Sequence, residues 1–109
     1  MKRRVVVTGV GLVSALGLDT ENTWDGLLQG RSGVGPITHF DPAGFSSRIG
    51  AEVKNFDPLD FVDVKSSRKM DPFILYAIAA ADCAVKNACL KVDQHNTYRI
   101  GVHIGSGIG

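Results

Sequence analysis

The sequence has little of three features that would narrow its function at once: an excess of charge of one sign, a long apolar run, and cysteine. Its 12 lysines and arginines are balanced by 11 aspartates and glutamates, a formal net charge of +1. The overall charge therefore gives no argument for nucleic acid or an anionic membrane as a partner. The apolar run after the basic start MKRR is broken at Thr8 and Gly9, too early for a signal peptide. We therefore expect a cytoplasmic protein that does not bind a membrane.

The two cysteines, Cys83 and Cys89, lie six residues apart in a segment that is typical of a helix. At about 100° per residue their side chains point about 240° apart, so neither a disulfide nor a metal pair is predicted. A reducing compartment suits them, and we expect both to pack as small buried hydrophobic residues. The histidines, His39, His95 and His103, have no metal-ligand spacing, so no metal site is predicted and a catalytic role is disfavoured.

Strands and helices are predicted to alternate along a single domain. Arg4–Val7 is a largely β-branched run, which is typical of a central strand buried on both faces. Arg48–Val53 alternates, with Ile49 on the apolar side and Glu52 on the other, solvent side, and indicates a half-exposed strand near the periphery. Tyr98–Ile104 also alternates and is predicted to pair beside the first strand.

Two helices are predicted from capping residues. The first begins at a cap provided by Asp19 or Thr20 and ends at Gly30. The longest runs from Pro72 to about Lys91, is apolar almost all round, and should pack against the sheet inside a larger protein. Three Asp-Pro pairs, at 41–42, 57–58 and 71–72, each place a carboxylate before a proline that could begin a helix. Because a strand that ends in GSGIG normally leads into a further element, we expect the chain to be a fragment.

The glycine-rich opening, VVVTGVGLVSALG, raises the question of a phosphate-binding turn. Gly9 and Gly11 fit the dinucleotide fingerprint G-x-G-x-x-G, but Ser14 occupies the sixth position. The next helix begins too late, near Thr20, for its N-terminus to receive a pyrophosphate. A strand that leaves a sheet through a tight glycine bend is therefore favoured over a nucleotide site.

Three motifs together resemble one family. VVVTGVGLVSALG, KSSRKMDPF and IGSGIG stand in the order and at the separations found in the β-ketoacyl-[acyl-carrier-protein] synthases, the condensing enzymes of fatty acid synthesis. The resemblance runs from Lys2 to Gly109 and covers only the N-terminal part of a longer family sequence. The branched residue in GSGIG and the basic SRKMD are similar to the type II synthases, which elongate longer acyl chains. Type I synthases and polyketide ketosynthases remain alternatives.

The resemblance implies an α/β protein of thiolase-like αβαβα architecture, of which residues 1–109 are the N-terminal portion, and a homodimer. It implies a decarboxylative Claisen condensation. An acyl group passes from the phosphopantetheine thiol of an acyl carrier protein to an enzyme cysteine, malonyl on a second carrier loses carbon dioxide, and the carbanion attacks the acyl thioester. No other cofactor is implied. The family's Cys-His-His set has no counterpart in this chain, so residues 1–109 alone are expected to be inactive.

Lys65, Arg68 and Lys69 follow an i, i+3, i+4 spacing that places them on one side of a predicted helical turn. From spacing alone, a solvated face is the simpler interpretation. The resemblance implies instead that these three residues flank the active-site entrance and receive the acidic helix of the carrier protein.

Gly107 and Ile108 close the last motif, where small residues surround one branched side chain. The alternatives from the residues are a core isoleucine in a turn and a side chain that meets a ligand beside a closely approaching backbone. The resemblance implies that Ile108 lines the acyl-chain pocket near the dimer interface. A different function class also stays open, a non-catalytic ketosynthase-like partner subunit that has lost the nucleophile.

Overall fold

The computed structural model describes residues 1–108, and the chain divides there into two compact units. One unit comprises Met1–Gly11 together with the chain from Pro58 onward, and the other is Leu12–Asp57. In chain order the regular elements are α1 (Thr20–Leu28), β1 (Gly35–Pro36), β2 (Ile49–Gly50), α2 (Val64–Ser67) and α3 (Pro72–Asn87), with 3₁₀ turns at Pro58–Asp60 and Thr97–Arg99.

Helix α1 confirms both of its predicted ends. Asp19 is the N-cap, and its side chain accepts a hydrogen bond of 2.7 Å from the Asn22 amide. Gly30 follows the C-cap with a φ of +64° and donates its N–H to the Leu27 carbonyl at 3.1 Å. Glycine adopts this left-handed conformation without steric cost, so the helix stops there.

The predicted strand Arg48–Val53 is wrong in its length. Only Ile49–Gly50 forms a strand, β2, which pairs antiparallel with β1 in the register Gly35 to Gly50 and Pro36 to Ile49. Proline has no N–H to donate to the ladder, which limits the pairing at that point. Ile49, which the alternation places on the apolar side, is 62% exposed.

The other two predicted strands, Arg4–Val7 and Tyr98–Ile104, are also wrong within residues 1–108, since neither segment is assigned as a strand. Val5 is 92% exposed, and Tyr98 lies in a 3₁₀ turn. A strand requires a neighbouring strand to receive its backbone hydrogen bonds. The apolar pattern indicates which side chains favour burial, but it does not identify the neighbouring strand.

Helix α3 begins at Pro72 as predicted but ends at Asn87, four residues before Lys91. Cys89 has a φ of +51°, and the Leu90 amide reaches back to the Val85 carbonyl at 3.1 Å. These features are those of a Schellman motif with cysteine in the position that glycine usually takes.

The Asp-Pro pairs behave differently from one another. Asp71 is the N-cap of α3 but makes no side-chain capping bond, and Asp57 precedes only the 3₁₀ turn at Pro58–Asp60. Asp41 begins no helix, because its carboxylate instead accepts the Ala43 amide at 3.0 Å and forms a turn. One of the three predicted helix starts is therefore an α-helix.

The first two glycines of the opening motif, Gly9 and Gly11, lie against the C-terminal half of α3. A Cβ on Gly11 would come within 2.6 Å of the Ala84 nitrogen, and one on Gly9 within 2.7 Å of the Ala88 nitrogen. Between them the backbone amide of Val10 donates to the Asn87 side chain at 3.0 Å. The glycines permit close packing of the chain on a helix, which supports the interpretation without a phosphate.

Helix α3 is less enclosed than its composition predicts. Only Leu75 and Ala79 are buried hydrophobic residues in the described part of the chain. Asp82 and Lys86, four residues apart on the helix, form an ion pair at 2.6 Å. Seven apolar residues line an open cavity of about 310 Å³: Phe73, Ile74, Ala77, Ile78, Ala81, Val102 and Ile104. Across residues 1–108, none of the helices combines the length and apolar character needed to traverse a bilayer.

Candidate functional sites

Helix α2 is held by the residue that precedes it. The Asp63 carboxylate accepts the Ser66 amide at 3.0 Å and the Ser66 hydroxyl at 2.6 Å. These hydrogen bonds, above all the one from the hydroxyl, lower the pKa of Asp63 below its ordinary value. A charged carboxylate therefore caps the short helix that carries the first predicted site.

The predicted basic residues lie on that helical turn. Lys65 belongs to α2, Arg68 is its C-cap in right-handed helical conformation, and the Lys69 amide continues the turn to the Ser66 carbonyl at 3.0 Å. All three side chains are exposed, and none forms an ion pair with a described residue. We call this set, Lys65, Arg68 and Lys69, the basic turn.

The second predicted site, Gly107 and Ile108, is open to solvent. Ile108 is 94% exposed, and a Cβ on Gly107 would meet nothing within 4 Å. Neither residue lines the three cavities described here. Their role in an acyl pocket stays a prediction.

Cys83 is half-buried and Cys89 is exposed, and both are free thiols. The prediction that Cys89 is buried is wrong, because its left-handed conformation turns it out of the helix at the end of α3. His95 and His103 are exposed. Among residues 1–108 no three His, Cys, Asp or Glu side chains are grouped so as to hold a metal ion.

Glu52 forms a cluster that the sequence did not reveal. Its carboxylate accepts the Thr38 amide at 3.0 and 3.1 Å, the Thr38 hydroxyl at 2.8 Å and the His39 amide at 3.1 Å. The Thr38 hydroxyl is the main reason that the pKa of Glu52 lies below its ordinary value, and His39, at 3.8 Å, adds to the effect. Strand alternation had assigned Glu52 to the solvent side, yet its side chain is only 14% exposed.

A second feature that the sequence did not reveal is a cavity of about 320 Å³ in the unit Leu12–Asp57. It is lined by Ser14–Leu18, Arg31, Ser32, Lys54 and Asn55. Two of these residues are cations and none is a carboxylate, so we call it the cationic cavity.

Ser14 fixes one wall of the cationic cavity. Its hydroxyl accepts the amides of Leu16 at 3.1 Å and Gly17 at 3.3 Å, and it lies 2.9 Å from the Thr23 hydroxyl. The residue that breaks the dinucleotide fingerprint is therefore the residue that closes this turn.

Known proteins are similar to this one over nearly the whole chain. The model of the β-ketoacyl synthase N-terminal domain matches residues 2–109. Over 108 residues the chain is 49% identical to the 3-oxoacyl-[acyl-carrier-protein] synthase 2 of Coxiella burnetii and 50% identical to that of Vibrio cholerae. Each alignment covers 99% of this chain and 26% of the relative, so the chain spans about a quarter of their length.

A solved structure is also similar. The ishigamide ketosynthase/chain length factor superposes with a TM-score of 0.74 at 40% identity, over 84% of this chain and 23% of that one.

Proposed function

Since the chain belongs to the β-ketoacyl synthase family, we propose that it is the N-terminal part of a type II 3-oxoacyl-[acyl-carrier-protein] synthase. Identity of 49–50% to synthases of that name, over nearly every residue, is the observation that carries the proposal. The complete protein would condense an acyl thioester with malonyl carrier protein, with loss of carbon dioxide, during fatty acid elongation. Its substrates would arrive on phosphopantetheine, with no further cofactor, in the cytoplasm.

The proposed fold of the complete protein is the thiolase-like αβαβα arrangement, as a homodimer. The structural neighbour supports a ketosynthase fold. The apolar cavity on α3 supports the presence of covering layers, because an exposed apolar surface of this kind is usually an interaction surface. In the complete protein Arg4–Val7 and Tyr98–Ile104 would then acquire the strand partners that residues 1–108 do not give them.

The basic turn is the proposed docking surface for the carrier protein. Its three cations are exposed, none is neutralised by a described carboxylate, and they lie on one helical turn. An acidic helix is the complementary partner for such a surface, and this kind of contact acts mainly on the rate of association.

Charge reversal in the complete protein tests the docking proposal. Lys65→Glu, Arg68→Glu and Lys69→Glu should each slow association with the carrier protein, with a strong dependence on salt. Acyl transfer from a small thioester should be almost unchanged. Lys91→Glu, an exposed lysine outside the turn, is the matched control. Equal losses with carrier and small thioester would show that the variants misfold and would refute a docking role.

Ile108 is proposed to line the acyl pocket next to Gly107 and to move aside for longer chains. Its full exposure in residues 1–108 leaves the side chain available to such a pocket. Ile108→Phe should suppress elongation of long acyl carriers far more than short ones, because the ring fills the pocket, while Ile108→Val should keep both. Chain-length profiles of the complete enzyme measure this. A uniform loss of elongation activity across all chain lengths would indicate instead that Ile108 is a core residue.

The catalytic Cys-His-His set is proposed to lie outside residues 1–109, which should therefore show no activity alone. Carbon dioxide release from malonyl carrier, measured for these residues and for the complete protein, tests both statements. The complete protein should release it and residues 1–109 should not. No release by the complete protein would refute the enzyme proposal.

A second candidate is a non-catalytic ketosynthase-like partner subunit or a polyketide ketosynthase. The name of the structural neighbour, a ketosynthase/chain length factor, supports this second candidate. Mass spectrometry of the complete protein after incubation with an acyl carrier separates the classes. A cysteine acylated by the carrier indicates a catalytic ketosynthase, whereas the absence of acylation indicates the partner subunit.

A further inference from the structure

We propose that the cationic cavity binds a small phosphorylated ligand through Arg31 and Lys54. The site is separate from the basic turn and does not depend on the proposed condensation. It uses Ser14–Leu18, the end of the glycine-rich opening, whose first two glycines have their own packing role on α3.

The charge of Arg31 is not neutralised by the nearby carboxylate of Asp25. The guanidinium lies 3.9 Å from Asp25 Oδ2, and the two side chains are 48% and 60% exposed. That same oxygen already accepts a hydrogen bond of 2.7 Å from Gln29 Nε2. A long, exposed ion pair contributes little, so the guanidinium keeps its donors for a ligand.

Lys54 is likewise unneutralised. The nearest acidic residue in sequence, Glu52, is occupied by Thr38 and His39 and makes no ion pair with Lys54. No described residue pairs with the Lys54 ammonium within 4 Å. The cavity therefore combines two unit positive charges without an opposing carboxylate in its lining.

The remaining lining suits an oxyanion. Ser32 Oγ accepts the Val34 amide at 3.2 Å, which leaves its own proton free to donate. The planar guanidinium binds phosphate oxygens in pairs, and an ammonium adds a point charge. Asn55, which also lines the cavity, is held in a left-handed conformation at a φ of +58°.

The size of the cavity limits the ligand. About 320 Å³ lies at the lower end of the range for small-molecule sites, roughly 300–1,000 Å³. A free phosphate or a small phosphate monoester fits this volume. A dinucleotide is disfavoured, because the glycines that would approach its pyrophosphate are packed against a helix backbone.

Equilibrium dialysis of radiolabelled inorganic phosphate against the complete protein tests the site. We expect saturable binding that Arg31→Gln and Lys54→Gln each weaken about tenfold, the effect of losing one charged hydrogen-bonding partner. Lys91→Gln removes one exposed positive charge elsewhere and should leave affinity unchanged. Competition with glycerol phosphate distinguishes a phosphate monoester from free phosphate as the ligand. If glycerol phosphate binds more tightly than phosphate, the ligand is a monoester; if it binds more weakly, the ligand is the free anion.

A measurement on the unmodified protein makes the result independent of variant folding. Phosphate should protect Lys54, but not Lys91, from acetylation, as read by mass spectrometry. Condensation with a small thioester should persist in both variants, so failure of this site and failure of the proposed enzyme are distinguishable. Absence of saturable binding, unchanged phosphate affinity in Arg31→Gln and Lys54→Gln, or no protection of Lys54 would overturn the proposal.

Discussion

Replacing Gly11 with alanine distinguishes a packing role for the opening motif from a phosphate-binding role. The added Cβ would lie 2.6 Å from the Ala84 nitrogen, whereas ordinary van der Waals contact begins at 3.4 Å. Its closest neighbours are backbone atoms of α3, at Ala80 and Ala84, which cannot rotate away as a flexible side chain can. The segment and the helix must therefore separate.

The expected cost follows from that overlap. Forcing extra atoms into a packed contact destabilises a protein by about 1–3 kcal/mol, and a clash with helix backbone belongs at the upper end. Gly44→Ala is the matched control, because a Cβ there meets nothing within 4 Å and the residue has no positive φ. We expect the control to stay within about 0.5 kcal/mol of the original protein.

Urea unfolding of the complete protein, combined with hydrogen exchange at the Ala84 and Ala88 amides, measures the effect. Gly11→Ala should lower the unfolding midpoint and speed exchange in the C-terminal half of α3, while Gly44→Ala should do neither. Unchanged stability of Gly11→Ala together with weakened phosphate binding would refute the packing argument and would indicate that Gly11 contacts a ligand.

Two further predictions concern a helix end and a carboxylate. Cys89→Gly should raise the free energy of unfolding by about 0.5–1 kcal/mol, because a left-handed L-residue costs about 1–2 kcal/mol and the entropy of glycine offsets part of that gain. Gly30→Ala, the opposite change at a left-handed position, should lower it by about 1 kcal/mol. Equal effects of the two variants in urea unfolding would contradict the Schellman assignment. The pKa of Glu52 is lower in the folded state than its ordinary 4.5, so its contribution is complete above that pH and is lost as pH falls through the folded value. After correction for the intrinsic exchange rate, the protection of the Thr38 amide from hydrogen exchange should therefore decrease as pH falls below 4.5, and Glu52→Gln should remove that pH dependence. Protection profiles that are identical in both proteins would contradict this prediction.

Local signals in the sequence predicted the helices well. Asp19 and Gly30 bound α1 because one supplies a capping carboxylate and the other a left-handed residue within a few positions of the helix. The helical conformation of the basic turn is confirmed for the same reason, since a spacing of three and four residues is a property of one helical turn. The end of α3 was missed because Cys89 gives no glycine signal there.

Strands and cavities depend on residues that are distant in sequence, and these were missed. Strand assignment at Arg4–Val7 needs hydrogen bonds from a partner strand, which the β-branched pattern does not identify. Arg31 and Lys54 meet at one cavity although 23 positions separate them in sequence. Alternation predicts that Glu52 faces solvent, because it cannot show that Thr38, 14 positions earlier in the chain, donates a hydrogen bond to it.

The apolar composition of α3 is explained by where its small and large side chains lie. Small residues, Ala84 and Ala88, occur where the chain at Gly9 approaches the helix backbone, whereas Phe73 and Ile78 occur where the apolar cavity is open. A helix that only had to cover one neighbour would keep a polar face of ordinary width. Large side chains around an open cavity are therefore best explained by further layers of protein, and this is the structural reason to expect the complete ketosynthase fold around α3.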